Sequence, residues 1–380
     1  MKKIFTLVML MFCSNVYASG SPFDASNYLF GAADAWSRIL PGGGGGEIAS
    51  RIQPLQTSDA MQFANFISLL AYNDTAFTIY ESDAHMSQAL DFLAHPLEAR
   101  RRACPANVSG CTNVRRSLVI DGGVGASFAD YSPSNNSDFK TKTTDFTIRA
   151  KAFVSDGAVF GVEYTRTDTD NRDSAIDLNA TGNSVTMFAQ YLSTSGIFAN
   201  VGINAGTIAW RSDKTIVSVP DDEEYTTNFW GGQVNTGVQI VAGPFTMTPE
   251  IGMRYMHISS ESHVDAATQF FDHWRYNNLR ATAGATVGFD FVGDGFTVRP
   301  MLSGGGLYDI ISKATDNVTV RIAGDQIYNI PVQTPGRAGF TGGAGIGVYG
   351  ARFAAGIDWN IDIRTDYVAH TGMAHAKIVF

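Results

Sequence analysis

The segment Phe353-Ala354-Ala355-Gly356-Ile357-Asp358-Trp359-Asn360-Ile361-Asp362-Ile363-Arg364 places apolar side chains at Phe353, Ala355, Ile357, Trp359, Ile361 and Ile363, with Gly356, Asp358, Asn360, Asp362 and Arg364 between them. Successive side chains of an extended chain point to opposite faces, so this stretch reads as a strand with one oily face and one wet face. The same period of two recurs upstream in Leu118, Ile120, Val124 and Phe128, in Phe146 and Ile148, in Phe160, Val162 and Tyr164, and in Met187, Ala189 and Tyr191. It continues through Val201 and Ile203, Trp230 and Val234, Ile251 and Met253, Val287 and Phe289, Phe296 and Val298, Ile346 and Val348, and ends in Ala374, Ala376 and Ile378. About twelve strands of this kind fit between Arg116 and Phe380.

A soluble sandwich alternates as well, so the connections must decide. Tight turns are expected at Ser155-Asp156-Gly157, Ser195-Gly196, Ala242-Gly243, Gly293-Asp294 and Gly350. Between them fall long polar connections near 132–142, 170–182, 212–226, 264–276 and 311–336, with an extra hairpin admissible at 317–329. Short and long connections in alternation describe a barrel with two different rims, each hairpin reversing the chain at opposite membrane faces. The fold class expected is therefore all-β, a transmembrane antiparallel barrel over residues 116–380.

The composition agrees with that reading. Charged residues make up 17% of the chain, against roughly 25% in an average soluble domain. Residues 1–18 combine Lys2 and Lys3, an apolar stretch from Ile4 to Phe12, and Val16-Tyr17-Ala18. They read as a secretory signal cut between Ala18 and Ser19. Bulky Phe12 before Cys13 disfavours a lipoprotein signal. Removing Lys2 and Lys3 with no acid moves the formal net charge from −9 to −11, and so acidic a chain is a poor nucleic-acid binder. Beyond the signal, no apolar run approaches the roughly 20 residues a spanning helix needs, so only a closed barrel remains to cross a bilayer.

Residues 19–56 form a short glycine-rich tail containing Gly42 to Gly46, a flexible linker without the Lys-Ser or Lys-Thr of a phosphate loop. Residues 57–115 change to helical spacing, with Phe63, Phe66, Leu69 and Leu70, then Phe77, Tyr80, Met86, Leu90, Phe92 and Leu93. Asn73-Asp74 divides two helical pieces and caps the second; His95-Pro96 ends it. Cys104 and Cys111 follow in what an exported chain meets as an oxidising compartment, and their close spacing favours a local disulfide over metal binding.

The alternate polar face of the strands brings Asp121, Arg149, Lys151, Glu163, Glu250, Arg254, Arg280, Asp290, Arg299, Arg352, Asp358 and Lys377 to the barrel interior. Charges of both signs there are expected to pair with one another and with the helical segment; a selectivity lining for a solute channel is the sharper alternative. His257, His263 and His273 gather around one connection at spacings that match no metal-ligand pattern. No catalytic set, cofactor site or metal site emerges, so an enzyme is not expected.

The chain ends on Phe380 with Ile378 on the same face, which looks like the recognition signal of the outer-membrane barrel assembly machinery. With the helical segment before the first strand, the opening strand Leu118 to Tyr131, the segments Val159 to Tyr164 and Val185 to Leu192, and the closing phenylalanine, residues 57–380 resemble the translocator domain of autotransporters. That resemblance implies a monomeric twelve-stranded barrel in the outer-membrane bilayer, reached through the secretion translocon and the assembly machinery. It implies also that the helix threads the pore and that the chain before it is carried to the cell surface. Family members usually carry a long repetitive passenger, whereas about 38 residues, 19–56, precede the helical zone here. Two other functions fit the sequence: a surface adhesin or receptor acting through 212–226, 264–276 and 311–336, and a simple porin.

Overall fold

The structure is a computed structural model, and it describes residues 75–91, 118–131, 139–155, 157–172, 176–216, 219–264, 269–315, 317–322, 326–332, 334–350, 352–365 and 367–380. The proposed signal with Ala18 and Ser19, the tail 19–56, the first helical piece, Asn73-Asp74, His95-Pro96 and the pair Cys104 and Cys111 lie outside the described residues.

Twelve long strands form one sheet among the described residues: β1 (Leu118–Tyr131), β2 (Phe139–Ser155), β3 (Ala158–Arg172), β4 (Ile176–Leu192), β5 (Ile197–Ile216), β6 (Val219–Val238), β7 (Phe245–Ser260), β8 (Trp274–Phe289), β9 (Phe296–Ala314), β10 (Ala338–Gly350), β11 (Phe353–Arg364) and β12 (Tyr367–Val379). Every strand pairs antiparallel with its sequence neighbours, and β12 pairs with β1 along Val119↔Val379 to Tyr131↔Tyr367. The sheet closes on itself, which leaves no edge to pair with another chain.

Alternation decides what each face meets. Leu118, Ile120, Val124 and Phe128 of β1 point outward and are exposed, while Val119, Asp121, Ser127, Ala129 and Tyr131 point inward and are buried. Around the barrel, Phe146, Phe160, Met187, Val201, Trp230, Ile251, Leu302, Phe340, Ile357 and Ile378 extend the outward apolar belt. An apolar surface of this extent is stable only in lipid.

The expected tight turns lie at one rim. Gly196, Gly243 and Gly295 adopt φ of 88°, 60° and 83°, a left-handed conformation that glycine takes without steric cost. The opposite rim differs from expectation. The connections read from the sequence at 170–182 and 212–226 are mostly strand: β3 continues to Arg172 and resumes in β4 at Ile176, and β5 runs to Ile216 before β6 begins at Val219. β5 and β6 are 20 residues each, about twice what crosses a bilayer. Their Asn, Asp and Thr content marks where the strands leave lipid for water, and the backbone ladder continues past that level.

The connections after β7 and β9 also contain strands. His263–Val264, Phe270–Phe271, Asn317–Ile322 and Gln326–Pro331 form a separate four-stranded sheet, with the admissible hairpin at 317–322 and 326–331. Its Phe271, Val318, Val320, Ile322, Tyr328 and Ile330 are buried and join the same apolar cluster as the barrel interior.

One helix is described, α1 (Thr75–Asp91). Ile79, Met86 and Leu90 are completely buried, and so are Thr78 and Ser82. A helix buried on all sides, with no wet stripe, has to be enclosed by other elements.

Candidate functional site: the seat of the central helix

α1 is enclosed by the inward faces of the strands in the half of the lumen nearer the long-strand rim. Its first turns meet Tyr225, where Thr78 Oγ1 lies 3.1 Å from the phenol oxygen. Further along, Ser87 bonds Arg254 of β7, well below that rim. The N-terminal end of α1 thus faces the rim of long strands.

Each polar group of α1 meets a complementary group of the wall. Tyr131 Oη donates to Glu81 Oε1 at 2.9 Å, and the hydroxyls of Thr143 and Thr169 donate to Oε2 at 3.2 Å each. These partners lie beyond Phe146 and Tyr164, the last outward apolar side chains of β2 and β3, so Glu81 sits outside the lipid level. Burial raises the Glu81 carboxyl above its usual range, against the pull of those donors. Two residues on, Asp83 takes Arg280 Nη1 at 2.9 Å and Arg364 Nη2 at 2.8 Å, and pairs with Arg254 as well.

His85 bridges Thr167 Oγ1 and Ser184 Oγ at 2.8 Å each, which uses both of its ring nitrogens. Tyr80 stacks on Tyr367 with ring centroids 5.0 Å apart and meets Tyr131 edge-on at 4.8 Å. Two wall glycines make room for the helix. A Cβ on Gly182 would stand 2.8 Å from His85 Nδ1, and one on Gly231 3.0 Å from Met86 Cε.

The lumen-facing residues expected from the sequence divide into groups. Arg254 and Arg280 belong to the Asp83 cluster. Asp121, Arg149, Lys151 and Glu163 form a second cluster nearer the turn rim: Arg149 reaches Asp121 at 3.1 Å and Glu163, while Lys151 reaches Asp121 at 2.5 Å. Lys377 is buried in register with Asp121. Arg299 pairs with Asp290 through Nη2 at 2.9 Å, and Asp358 with His375 at 3.1 Å. Glu250 stands on the inward face of β7, in register with Gly284. Arg352 is a correction: it stands exposed in the turn between β10 and β11, because β10 already ends at Gly350. Phe380 and Ile378 are exposed at the end of β12.

The three histidines take separate roles. His263 stacks between Tyr225 and Phe271 and pairs with Glu223; His257 bonds Asn277; His273 bonds Asp272.

Sequence reasoning passed over Glu81, Asp83, Asp309 and Arg364. Asp362 and Arg364 lie on the same alternate face as Asp358, so their strand parity carried the signal. Nothing in the sequence sets the rotation of α1 that aims Asp83 at them.

Comparisons with known proteins agree on one architecture. The family described as autotransporter beta-domain matches residues 122–360. Outer membrane protein A of Rickettsia conorii is 24% identical over 271 residues, which span 64% of this chain and 13% of that relative's length. Among solved structures, the translocator domain of the autotransporter NalP from Neisseria meningitidis superposes with a TM-score of 0.61 at 10% identity, covering 80% of this chain and 98% of the other. The beta domain of the Bordetella autotransporter BrkA superposes at 0.54 and 11% identity, covering 70% and 100%.

Proposed function

Since this chain belongs to the autotransporter beta-domain family and its barrel lies in the bacterial outer membrane, we propose that it holds the segment N-terminal to α1 at the cell surface, with α1 closing the lumen behind that segment. The observation that carries this reading is the direction of α1. Its N-terminal end faces the rim of long strands, the extracellular side, while β1 begins at the rim of short turns. A chain led out through the pore and then anchored by its last helix would stand this way.

In this reading residues 1–18 are the export signal, 19–56 the exposed tail, 57–115 plug and linker with a Cys104–Cys111 bridge, and 116–380 the barrel. Phe380 and Ile378 serve as the signal to the barrel assembly machinery. The barrel works as a monomer without a cofactor and without catalysis, its buried charges committed to pairing. Against a diffusion porin stands the enclosure of α1. Against an adhesin built on the connections stands the burial of one face of the small sheet, Phe271, Val318, Val320, Ile322, Tyr328 and Ile330, against the apolar cluster of the barrel interior.

The test is an epitope tag inserted at Gly44, probed by antibody on intact cells and after permeabilisation, with outer-membrane fractionation alongside. Labelling of intact cells is the expected result. Labelling only after permeabilisation, with the protein in the outer membrane, contradicts surface display.

A further inference from the structure

Three guanidinium groups from three strands, Arg254 on β7, Arg280 on β8 and Arg364 on β11, converge on one place in the lumen, and a single carboxylate from α1, that of Asp83, fills it. Arg280 is held by the wall, with Nε at 2.6 Å and Nη2 at 3.2 Å from the two oxygens of Asp309. Arg364 is steadied by Asp362 at 3.3 Å. The wall therefore sets three positive charges against two negative ones, and only the helix supplies the third. The cluster also has donors to spare. Arg254 Nε and both Nε and Nη1 of Arg364 are buried with no hydrogen-bond partner among the described residues. Buried donors left unmade are costly, and planar guanidinium groups match the two oxygens of a carboxylate.

We propose that Arg254, Arg280 and Arg364 form a carboxylate-binding site in the barrel wall, which Asp83 occupies when α1 is seated and which takes a small free carboxylate whenever Asp83 is missing. The site is built by the wall and α1 is its tethered ligand. The proposal stands on the seating of α1 and not on surface display, so failure of the Gly44 tag leaves it untouched.

The test uses the full chain with Asp83→Ala, reconstituted in planar bilayers. Losing one partner of a buried ion cluster weakens seating, and channel openings should become about 100-fold more frequent than in the wild type. Formate, added at constant ionic strength, should return them toward the wild-type frequency, whereas formamide, its neutral counterpart, should not. Adding Arg280→Gln to Asp83→Ala should abolish the formate response. Equal responses to formate and formamide overturn the proposal. Where Asp83→Ala does not assemble, the spontaneous openings of the wild type in a KCl gradient decide instead. A reversal potential favouring chloride supports the site, and a cation preference or none overturns it.

Discussion

Two buried ion clusters lie in the same lumen and are built differently. Near the turn rim, Asp121 and Glu163 meet Arg149 and Lys151, with Lys377 of β12 buried in register with Asp121, and every one of these charges stands on a strand. Nearer the extracellular rim, Arg254, Arg280 and Arg364 face Asp309 and Asp362 from the wall and reach balance only through Asp83 of α1. The first cluster is complete once the strands have paired. The second is complete only once the helix is in place. Burying an unbalanced charge is expensive, so the wall near the extracellular rim favours the plugged state and the wall near the turn rim is indifferent to it.

The sharpest way to break this contrast is to delete one arginine from each cluster. Arg280→Gln and Arg149→Gln should each cost the barrel about 3–5 kcal/mol by removing the main partner of a buried carboxylate, Asp309 in one case and Glu163 in the other, read as earlier unfolding in urea by gel mobility. Only Arg280→Gln should also raise channel openings. Leakage from both variants would erase the distinction. A smaller effect is expected at Gly231, where a Cβ would stand 2.2 Å from the backbone oxygen of Tyr255 and 3.0 Å from Met86 Cε. Gly231→Leu should strain both the pairing of β6 with β7 and the seat of α1, by about 1–3 kcal/mol through overpacking, lowering the urea midpoint and raising openings; silence in the conductance record would place the helix elsewhere.

Much of this architecture was legible in the sequence because a bilayer imposes strict rules. Alternation in Phe353 to Arg364 marks the lipid face residue by residue, and Ser195-Gly196 and Ala242-Gly243 announce turns through the one residue that takes positive φ freely. The extent of the strands on the extracellular side was hidden. At 212–226 polar residues replace apolar ones on the outward face, and a reader of hydropathy takes the end of the lipid for the end of the strand. The helix seat was hidden for another reason. Asp83 and Arg364 are 281 residues apart, and their meeting depends on the closure of β12 onto β1 and on the rotation of α1. Even the helix lacks a telltale stripe: Glu81, Asp83 and His85 are interleaved with Ile79, Tyr80 and Met86, because the polar wall around it rewards polar and apolar side chains alike.

The plugged state requires that α1 close the lumen. Single-channel recording from the purified full-length chain and from one lacking Thr75–Asp91, both inserted in planar bilayers, tests it directly. A full-length barrel that stays closed apart from rare openings, beside a deletion that conducts steadily, is the predicted result. Equal conductance from the two would contradict it, since a lumen already open with α1 present has no plug.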